Sequence, residues 1–263
     1  MDVMTWWEGL VLGVVQGATE FLPVSSSGHL VVFQTVLDIH QDGILFEVVV
    51  HVATLVSILL VYRERIAGLG RGAVTGDRDA WQYVGLVVLA TIPAVIVGGL
   101  FKDQVEALFD DAVTPGVALL VTGAILWTSR SALKRAVNER PGVAAALLIG
   151  LAQAFALVPG ISRSGATVVT ALWLGVQAKE AAAFSFLMAV PAIAGAMVLM
   201  LPDVGAGSGP GLLPLALGGA AAAVTGVLAI RTFVAMLDRK SFFWFAPYCW
   251  SIGAVYLAYL ALR

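Results

Sequence analysis

Six long apolar stretches alternate with polar segments along the chain, and they predict membrane-spanning helices. The stretches cover about residues 44–62, 83–101, 113–129, 181–201, 212–235 and 242–262. Each approaches the roughly 20 apolar residues that an α-helix needs to cross a hydrocarbon core. The polar segments between them, among them 63–81, 102–112, 130–141 and 202–211, are predicted to be loops.

Two other apolar segments are interrupted near their middle and predict re-entrant hairpins at 5–37 and 143–176. The first runs from Thr5 to Leu22, breaks at Pro23 to Gly28, and continues from His29 to Leu37. The second has its break at 159–165, with the sequence PGISRSG. A nine-residue leg such as 29–37 rises roughly 14 Å, about half of the hydrocarbon core. Each hairpin is therefore expected to enter and leave the membrane on the same side.

Composition places the whole chain in the membrane. Of its 263 residues, 60% are hydrophobic and 12% are charged, whereas soluble domains carry about 25% charged residues. The mean hydropathy is +0.94. This indicates an all-α polytopic membrane protein forming one domain over 1–263, since spanning segments without strand patterning must be helices. No basic cluster indicates nucleic acid as a partner, and a homodimer is left open.

The distribution of Lys and Arg predicts the orientation. Loops 63–81, 130–141, 177–180 and 231–241 hold 12 of the 15 Lys and Arg residues, and cytoplasmic loops carry such an excess. The N-terminus, the first hairpin and loops 102–112 and 202–211 are therefore predicted to face outward, and the second hairpin inward.

An internal repeat supports this arrangement. A shift of 137 positions aligns Gln16 with Gln153, Ser25 with Ser162 and Gly28 with Gly165. The repeats cover about 1–130 and 142–263, each with one hairpin and three spans. Because three spans are an odd number, the second repeat must be inverted, and inverted repeats with broken helices place their site at the repeat interface. The two breaks are thus expected to meet.

The breaks carry the polar groups, and ionisable groups inside a membrane mark function by default. Glu20, Ser26 and His29 in the first repeat correspond to Leu157, Arg163 and Ala166 in the second. The first repeat therefore supplies a carboxylate and an imidazole, and the second a guanidinium. A purely structural motif has no reason to divide its chemistry in this way.

Two helix starts rich in Ser and Gly are suited to an anion, and Arg163 adds a planar fork that matches phosphate oxygens. We predict a diphosphate bound by backbone and hydroxyl donors of Ser25, Ser27, Gly160, Ser162, Ser164 and Gly165. Gln16 and Glu20, four apart on one helical face, are predicted to hold a divalent cation, Mg²⁺ or Ca²⁺, since hard cations take oxygen ligands shared with phosphates.

The spacing of Ser26 and His29 predicts a hydroxyl–imidazole contact at the start of a short helix. Ser26 would attack phosphorus while His29 removes its proton. A water activated by His29 and His29 itself as nucleophile are alternatives. Glu20 could bind the cation or orient His29. The serines and glycines could also serve close helix packing, and His51 could be merely interfacial.

With Gln16 and Glu20 leading into PVSSSGH, and PGISRSGAT in the second repeat, the chain resembles the BacA-type undecaprenyl-pyrophosphate phosphatases of bacterial inner membranes. The resemblance implies hydrolysis of the membrane lipid undecaprenyl diphosphate, recycling of the carrier for cell-wall synthesis, bacitracin resistance, dependence on a divalent cation and a site open to the periplasm. By motif position it implies functional roles for Glu20, Ser26, His29, Ser162, Arg163 and Thr167. Many family members carry Glu where this chain has Gln16.

A transporter is the competing class, because inverted repeats and re-entrant hairpins are also transporter architecture. A lipid flippase that also hydrolyses is a third alternative. A transporter has less use for a serine beside an imidazole, and the sequence therefore favours phosphoryl transfer.

Overall fold

The computed structural model describes residues 4–37, 45–133, 137–200 and 210–262. Within these ranges the chain forms twelve α-helices: α1 (Trp6–Phe21), α2 (Ser26–Leu37), α3 (Leu45–Val61), α4 (Arg63–Thr75), α5 (Arg78–Leu100), α6 (Lys102–Asp110), α7 (Thr114–Ala132), α8 (Val143–Phe155), α9 (Arg163–Trp173), α10 (Ala178–Met200), α11 (Leu212–Asp238) and α12 (Phe245–Leu262). The predicted all-α fold is confirmed.

The helices are long and apolar enough to supply up to six membrane-spanning elements. Four continuous segments are long and apolar enough to cross a membrane: 78–100, 178–198, 212–238 and 242–262, the last including a 3₁₀ turn before α12. Two bent pairs, α3 with α4 and α6 with α7, can each supply one further span. The protein is therefore a polytopic membrane protein, and the predicted spans lie where these helices lie.

Two segments predicted to be loops contain helices. Most of 63–81 forms α4, which is bent by 77° from α3, and most of 102–112 forms α6, which is bent by 100° from α7. Their polar composition correctly excluded them from the apolar core, because no residue of either helix is buried. It did not exclude helices outside that core. The predicted loop 202–211 lies outside the described residues except for its last two positions.

The basic segments gather at one end of the molecule through three ion pairs. Arg65 Nη2 lies 2.8 Å from Glu180 Oε1, and Arg140 Nη1 lies 3.0 Å from Asp79 Oδ1. Lys179 Nζ lies 3.4 Å from Asp238 Oδ2. These pairs join the four segments that the charge distribution predicts to be cytoplasmic. That they share one face is confirmed, while the side of the membrane on which this face lies stays a prediction.

Helices at repeat-related positions make corresponding contacts. Helix α1 packs against α11, α8 packs against α5, and α7 packs against α12. Gly13 of α1 touches the backbone of Gly218, and Gly150 of α8 touches the backbone of Ala90, so closely that a Cβ at either glycine would overlap its neighbour. A pair of two-fold-related repeats would produce these contacts. The inversion of one repeat across the membrane stays a prediction.

Candidate active site

The two broken helices meet at their turns, which are residues 22–25 between α1 and α2 and residues 156–162 between α8 and α9. Ser25 Oγ accepts a hydrogen bond of 3.1 Å from the backbone N–H of Gly160, and Ser164 Oγ donates one of 3.2 Å to the carbonyl of Leu22. A Cβ on Gly28 would lie 2.8 Å from Gly160 Cα. The predicted convergence of the two polar stretches is therefore confirmed.

Both turns end in the same kind of helix cap. Ser25 Oγ accepts from the N–H of Gly28 at 3.3 Å, and Ser162 Oγ accepts from the N–H of Gly165 at 3.0 Å. Such caps satisfy N–H groups that have no partner within the helix. Helices α2 and α9 consequently begin at Ser26 and Arg163. The breaks are shorter than predicted, because 26–28 and 163–165 belong to the first helical turns.

The first residues of these two helices bind the same carboxylate, that of Glu20. Together with Gln16 they form the Glu20 cluster, which consists of Gln16, Glu20, Ser26 and Arg163. Arg163 Nη2 donates to Glu20 Oε1 at 2.8 Å, and Ser26 Oγ donates to Glu20 Oε2 at 2.6 Å. Gln16 Nε2 donates to the same Oε2 at 3.0 Å. Glu20 is 8% exposed and Gln16 is fully buried. A buried carboxylate is tolerated when it is paired and hydrogen-bonded, and this one has a guanidinium and two neutral donors.

His29 does not form the contact predicted with Ser26. Its Nδ1 lies 2.8 Å from the carbonyl oxygen of Ser25, and its Nε2 lies 2.8 Å from the hydroxyl of Tyr248. The hydroxyl of Ser26 instead donates to Glu20. The physical reason lies in Ser25, which precedes α2 with a left-handed backbone (φ 67°). Its carbonyl oxygen accepts a hydrogen bond from the imidazole of His29 one helical turn later, and this bond directs the ring away from Ser26. The predicted contact is corrected to a Ser26–Glu20 hydrogen bond.

The remaining predicted residues divide by exposure. Ser25, Ser162, Ser164 and Thr167 are all buried and bonded within the protein. Ser26, Ser27 and Arg163 are partly exposed. The buried residues hold the two turns together, and the partly exposed ones are accessible to a ligand. Gly160 (φ 99°) lies where a Cβ would come 2.5 Å from the carbonyl oxygen of Pro115.

Several residues near the cluster were not predicted from the sequence. Thr122 Oγ1 donates to the carbonyl of Gly160 at 2.8 Å and accepts from the N–H of Ser162 at 3.0 Å. Ser185 Oγ lies 2.7 Å from Thr167 Oγ1. Tyr248 binds His29, as described above. Their only sequence signal is a polar atom within an apolar span, which they share with many residues that have no such contact.

His51 lies beside the Glu20 carboxylate, so its position is not merely interfacial. Its Nε2 is 4.0 Å from Glu20 Oε2, and its side chain is 33% exposed. Its Nδ1 lies 2.7 Å from the carbonyl oxygen of Glu47. The imidazole is thus placed at the edge of the carboxylate with one nitrogen facing it.

The predicted ligands of a divalent cation are the side-chain oxygens of Gln16 and Glu20. Gln16 Oε1 is buried and has no hydrogen-bond partner among the described residues, so it is free to act as a ligand, while Nε2 of the same amide donates to Glu20 Oε2. Over the described residues, no cluster of three or more His, Cys, Asp or Glu side chains is arranged to hold a metal. The amide oxygen of Gln16 and the carboxylate of Glu20 are a small set of oxygen ligands, which fits an ion such as Mg²⁺ that takes few protein ligands and shares substrate phosphate oxygens.

Fold and cluster together define a polytopic membrane protein in which two broken helices present a serine hydroxyl, a carboxylate and an arginine to a common point. The chain belongs to the family described as bacitracin resistance protein BacA, whose family model matches residues 9–255.

Similar proteins cover nearly the full length of the chain. A protein from Desulfatibacillum aliphaticivorans is 40% identical over an alignment 273 positions long, which covers 97% of this chain and 98% of the relative. One from Alcanivorax borkumensis is 40% identical, with 98% and 100% covered. One from Methanobrevibacter smithii is 35% identical, with 97% and 96% covered. All three are named undecaprenyl-diphosphatase.

Proposed function

We propose that this protein is an undecaprenyl-diphosphate phosphatase, which hydrolyses the lipid diphosphate to undecaprenyl phosphate and inorganic phosphate. Family membership and the names of the full-length relatives support this activity. The structural observation that carries it is the hydrogen bond from Ser26 to Glu20 beside Arg163. A hydroxyl, a proton acceptor and a phosphate-binding fork are the groups that phosphoryl transfer needs.

The reaction we propose begins at Ser26. Its Oγ attacks the terminal phosphorus, the new O–P bond forms, and the bridging P–O bond breaks with its electron pair leaving on undecaprenyl phosphate. A serine hydroxyl is a weak nucleophile until a base takes its proton. Glu20 Oε2, 2.6 Å from Oγ, is placed to take it. Both nitrogens of His29 contact Ser25 and Tyr248, which favours Glu20 over His29 as the base.

Proton transfer would also release Arg163. In the observed state its guanidinium neutralises Glu20 at 2.8 Å. A protonated Glu20 no longer carries the charge that holds the guanidinium, so Arg163 becomes available to the phosphate oxygens as their charge increases. Electrostatic stabilisation of the transition state by such donors is usually the largest single contribution to catalysis. Water then attacks the phosphorus of the phosphoserine and the Oγ–P bond breaks. Glu20 returns its proton to Oγ, and phosphate leaves as H₂PO₄⁻ with both hydrogens of the water.

A divalent cation, Mg²⁺ or Ca²⁺, is the cofactor we propose, held by Gln16 Oε1 and a Glu20 oxygen. When bound, such an ion would neutralise phosphate charge as a Lewis acid. The support is the buried oxygen of Gln16, for which the described residues offer no hydrogen-bond partner.

The setting we propose is the bacterial inner membrane, with the basic face in the cytoplasm and the site open to the periplasm. The clustering of Arg65, Arg140 and Lys179 on one face supports this orientation, because cytoplasmic loops are enriched in Lys and Arg. The product would re-enter cell-wall synthesis as the lipid carrier.

The decisive experiment is phosphate release from undecaprenyl diphosphate by protein purified in detergent. Release should require a divalent cation, stop on chelation, and return when the cation is restored. Protein carrying Arg163→Ala, prepared in parallel, controls for a contaminating phosphatase. If the wild-type protein with cation releases no more phosphate than this variant, the proposed activity is wrong.

A further inference from the structure

Two consecutive residues of helix α12 contact the start of α2 and the turn between α1 and α2. The hydroxyl of Tyr248 lies 2.8 Å from His29 Nε2, and Cys249 Sγ donates to the carbonyl of Pro23 at 3.7 Å. The rings of Tyr248 and His29 are nearly parallel, with an interplanar angle of 4° and centroids 5.7 Å apart. These contacts join a helix near the end of the chain to both sides of Ser26: to Pro23 before it and to His29 after it.

The partners of His29 fix the position of its proton. A backbone carbonyl can only accept, so the nitrogen facing Ser25 must carry hydrogen, and in the neutral imidazole the other nitrogen is then an acceptor. In that tautomer the hydroxyl of Tyr248, 2.8 Å from Nε2, donates to the imidazole. Because His29 is only 2% exposed, water has little access to replace the phenol.

The imidazole in turn holds the backbone beside Ser26. Ser25 has φ 67°, a left-handed conformation that a non-glycine residue keeps only where its surroundings impose it. In that conformation its Oγ reaches the N–H groups of Gly28 and Gly160, and the next residue, Ser26, points its hydroxyl at Glu20.

We propose that Tyr248 is a positioning residue for the reaction: it orients His29, which holds the Ser25 carbonyl and so keeps Ser26 aimed at Glu20. This inference rests on the proposed phosphatase activity. Tyr248 is 42% exposed and lies on a helix that contributes no other residue to the Glu20 cluster described above. Its hydroxyl acts two contacts away from the reacting oxygen.

The test combines kinetics with nitrogen NMR of the three histidines, labelled with ¹⁵N in the full-length protein in detergent. In the wild-type protein, His29 should show a protonated Nδ1 and a hydrogen-bonded Nε2. In Tyr248→Phe the Nε2 resonance should move to the position of an unbonded nitrogen. Loss of one hydrogen bond at this point should lower kcat about three- to tenfold while KM changes less than about twofold.

Tyr256→Phe is the matched control, because Tyr256 lies on the same helix and its buried hydroxyl has no hydrogen-bond partner in the part of the chain that the structure describes. It should change neither kcat nor the His29 resonances. A protonated Nε2 in wild-type His29 would overturn the proposal, as would wild-type kcat in Tyr248→Phe whatever its spectrum. If the wild-type protein releases no phosphate, the proposed activity fails, while the spectrum still reports the Tyr248–His29 contact.

Discussion

Glu20 and Arg163 stand in different halves of the chain, and their side chains form an ion pair with Arg163 Nη2 2.8 Å from Glu20 Oε1. Glu20 precedes the first turn and Arg163 begins the helix after the second. The pair is therefore the point at which the two broken helices share their chemistry. Five predictions test this site and the fold that holds it.

The first prediction concerns the guanidinium. Arg163→Ala should lower kcat by at least about 10²-fold, the scale of losing one preorganised donor. Arg163→Lys should not restore activity, because an ammonium keeps the charge but loses the bidentate fork. Arg140→Lys, which alters an exposed ion pair with Asp79, serves as the control and should be near wild type. Near-normal turnover in Arg163→Lys would argue against the fork, and in Arg163→Ala against the site.

The second prediction concerns the nucleophile and its base. Ser26→Ala and Glu20→Gln should each reduce kcat by far more than tenfold, since the first removes the attacking oxygen and the second the proton acceptor 2.6 Å from it. Ser129→Ala is the matched control, because the Ser129 hydroxyl is buried and has no hydrogen-bond partner within the described ranges. Phosphate release should be accompanied by a trapped phosphoserine.

The opposite result would redirect the mechanism. If Ser26→Ala retains more than about a tenth of wild-type kcat, a loss below about 1.4 kcal/mol in the barrier, the covalent serine route is wrong. His29 would then be the base for water or the nucleophile. An acid-labile phosphoenzyme in Ser26→Ala would identify His29 as the nucleophile.

The third prediction concerns the cation. Gln16→Glu supplies a second carboxylate beside Glu20 and should lower the cation concentration for half-maximal phosphate release, because hard cations favour charged oxygen ligands. Gln16→Leu should raise it. The control is Gln153→Leu, since Gln153 is the buried repeat counterpart of Gln16 and its amide bonds to none of the residues that the structure describes. Equal cation dependence in wild type and Gln16→Leu would remove Gln16 from the cation site.

The fourth prediction concerns the close packing of Gly160, in the second turn, against α7. Gly160→Ala should destabilise the protein, because left-handed backbone costs a non-glycine residue about 1–2 kcal/mol and the added Cβ would lie 2.5 Å from Pro115 O and 2.6 Å from Ala118 Cβ. Gly85→Ala, in an exposed part of α5 with open space around it, should be neutral or stabilising. Thermal unfolding in detergent compares the two. Equal midpoints would contradict the close approach at Gly160.

The fifth prediction concerns orientation. Single cysteines at Gly70 and Glu106, both exposed, can be placed on a Cys249→Ala background and probed with a membrane-impermeant thiol reagent in intact cells. Position 106 should react, and position 70 should react only after permeabilisation, because Gly70 lies in the segment that the Arg65–Glu180 ion pair ties to the basic face. Labelling at 70 but not at 106 would reverse the assignment.

The sequence by itself determined the spans, the two breaks and the residue types at the site. A run of apolar residues long enough to cross the membrane is a local property, and so is its interruption by Pro, Gly and Ser. The cost of an ionisable group among such residues is also local, which is why Glu20, His29 and Arg163 could be singled out before any contact was known. The repeat then predicted that the two breaks meet.

Only the tertiary structure decided which groups pair. Ser26 and His29 are three residues apart, yet the hydroxyl of Ser26 binds Glu20 and the imidazole binds Tyr248, which lies 219 positions further along the chain. The left-handed turn at Ser25 and the packing of α12 set those directions, and neither leaves a pattern in the spacing of Ser26 and His29. Hydrogen bonds depend on where side chains point after helices pack, whereas hydropathy records only which segments are removed from water.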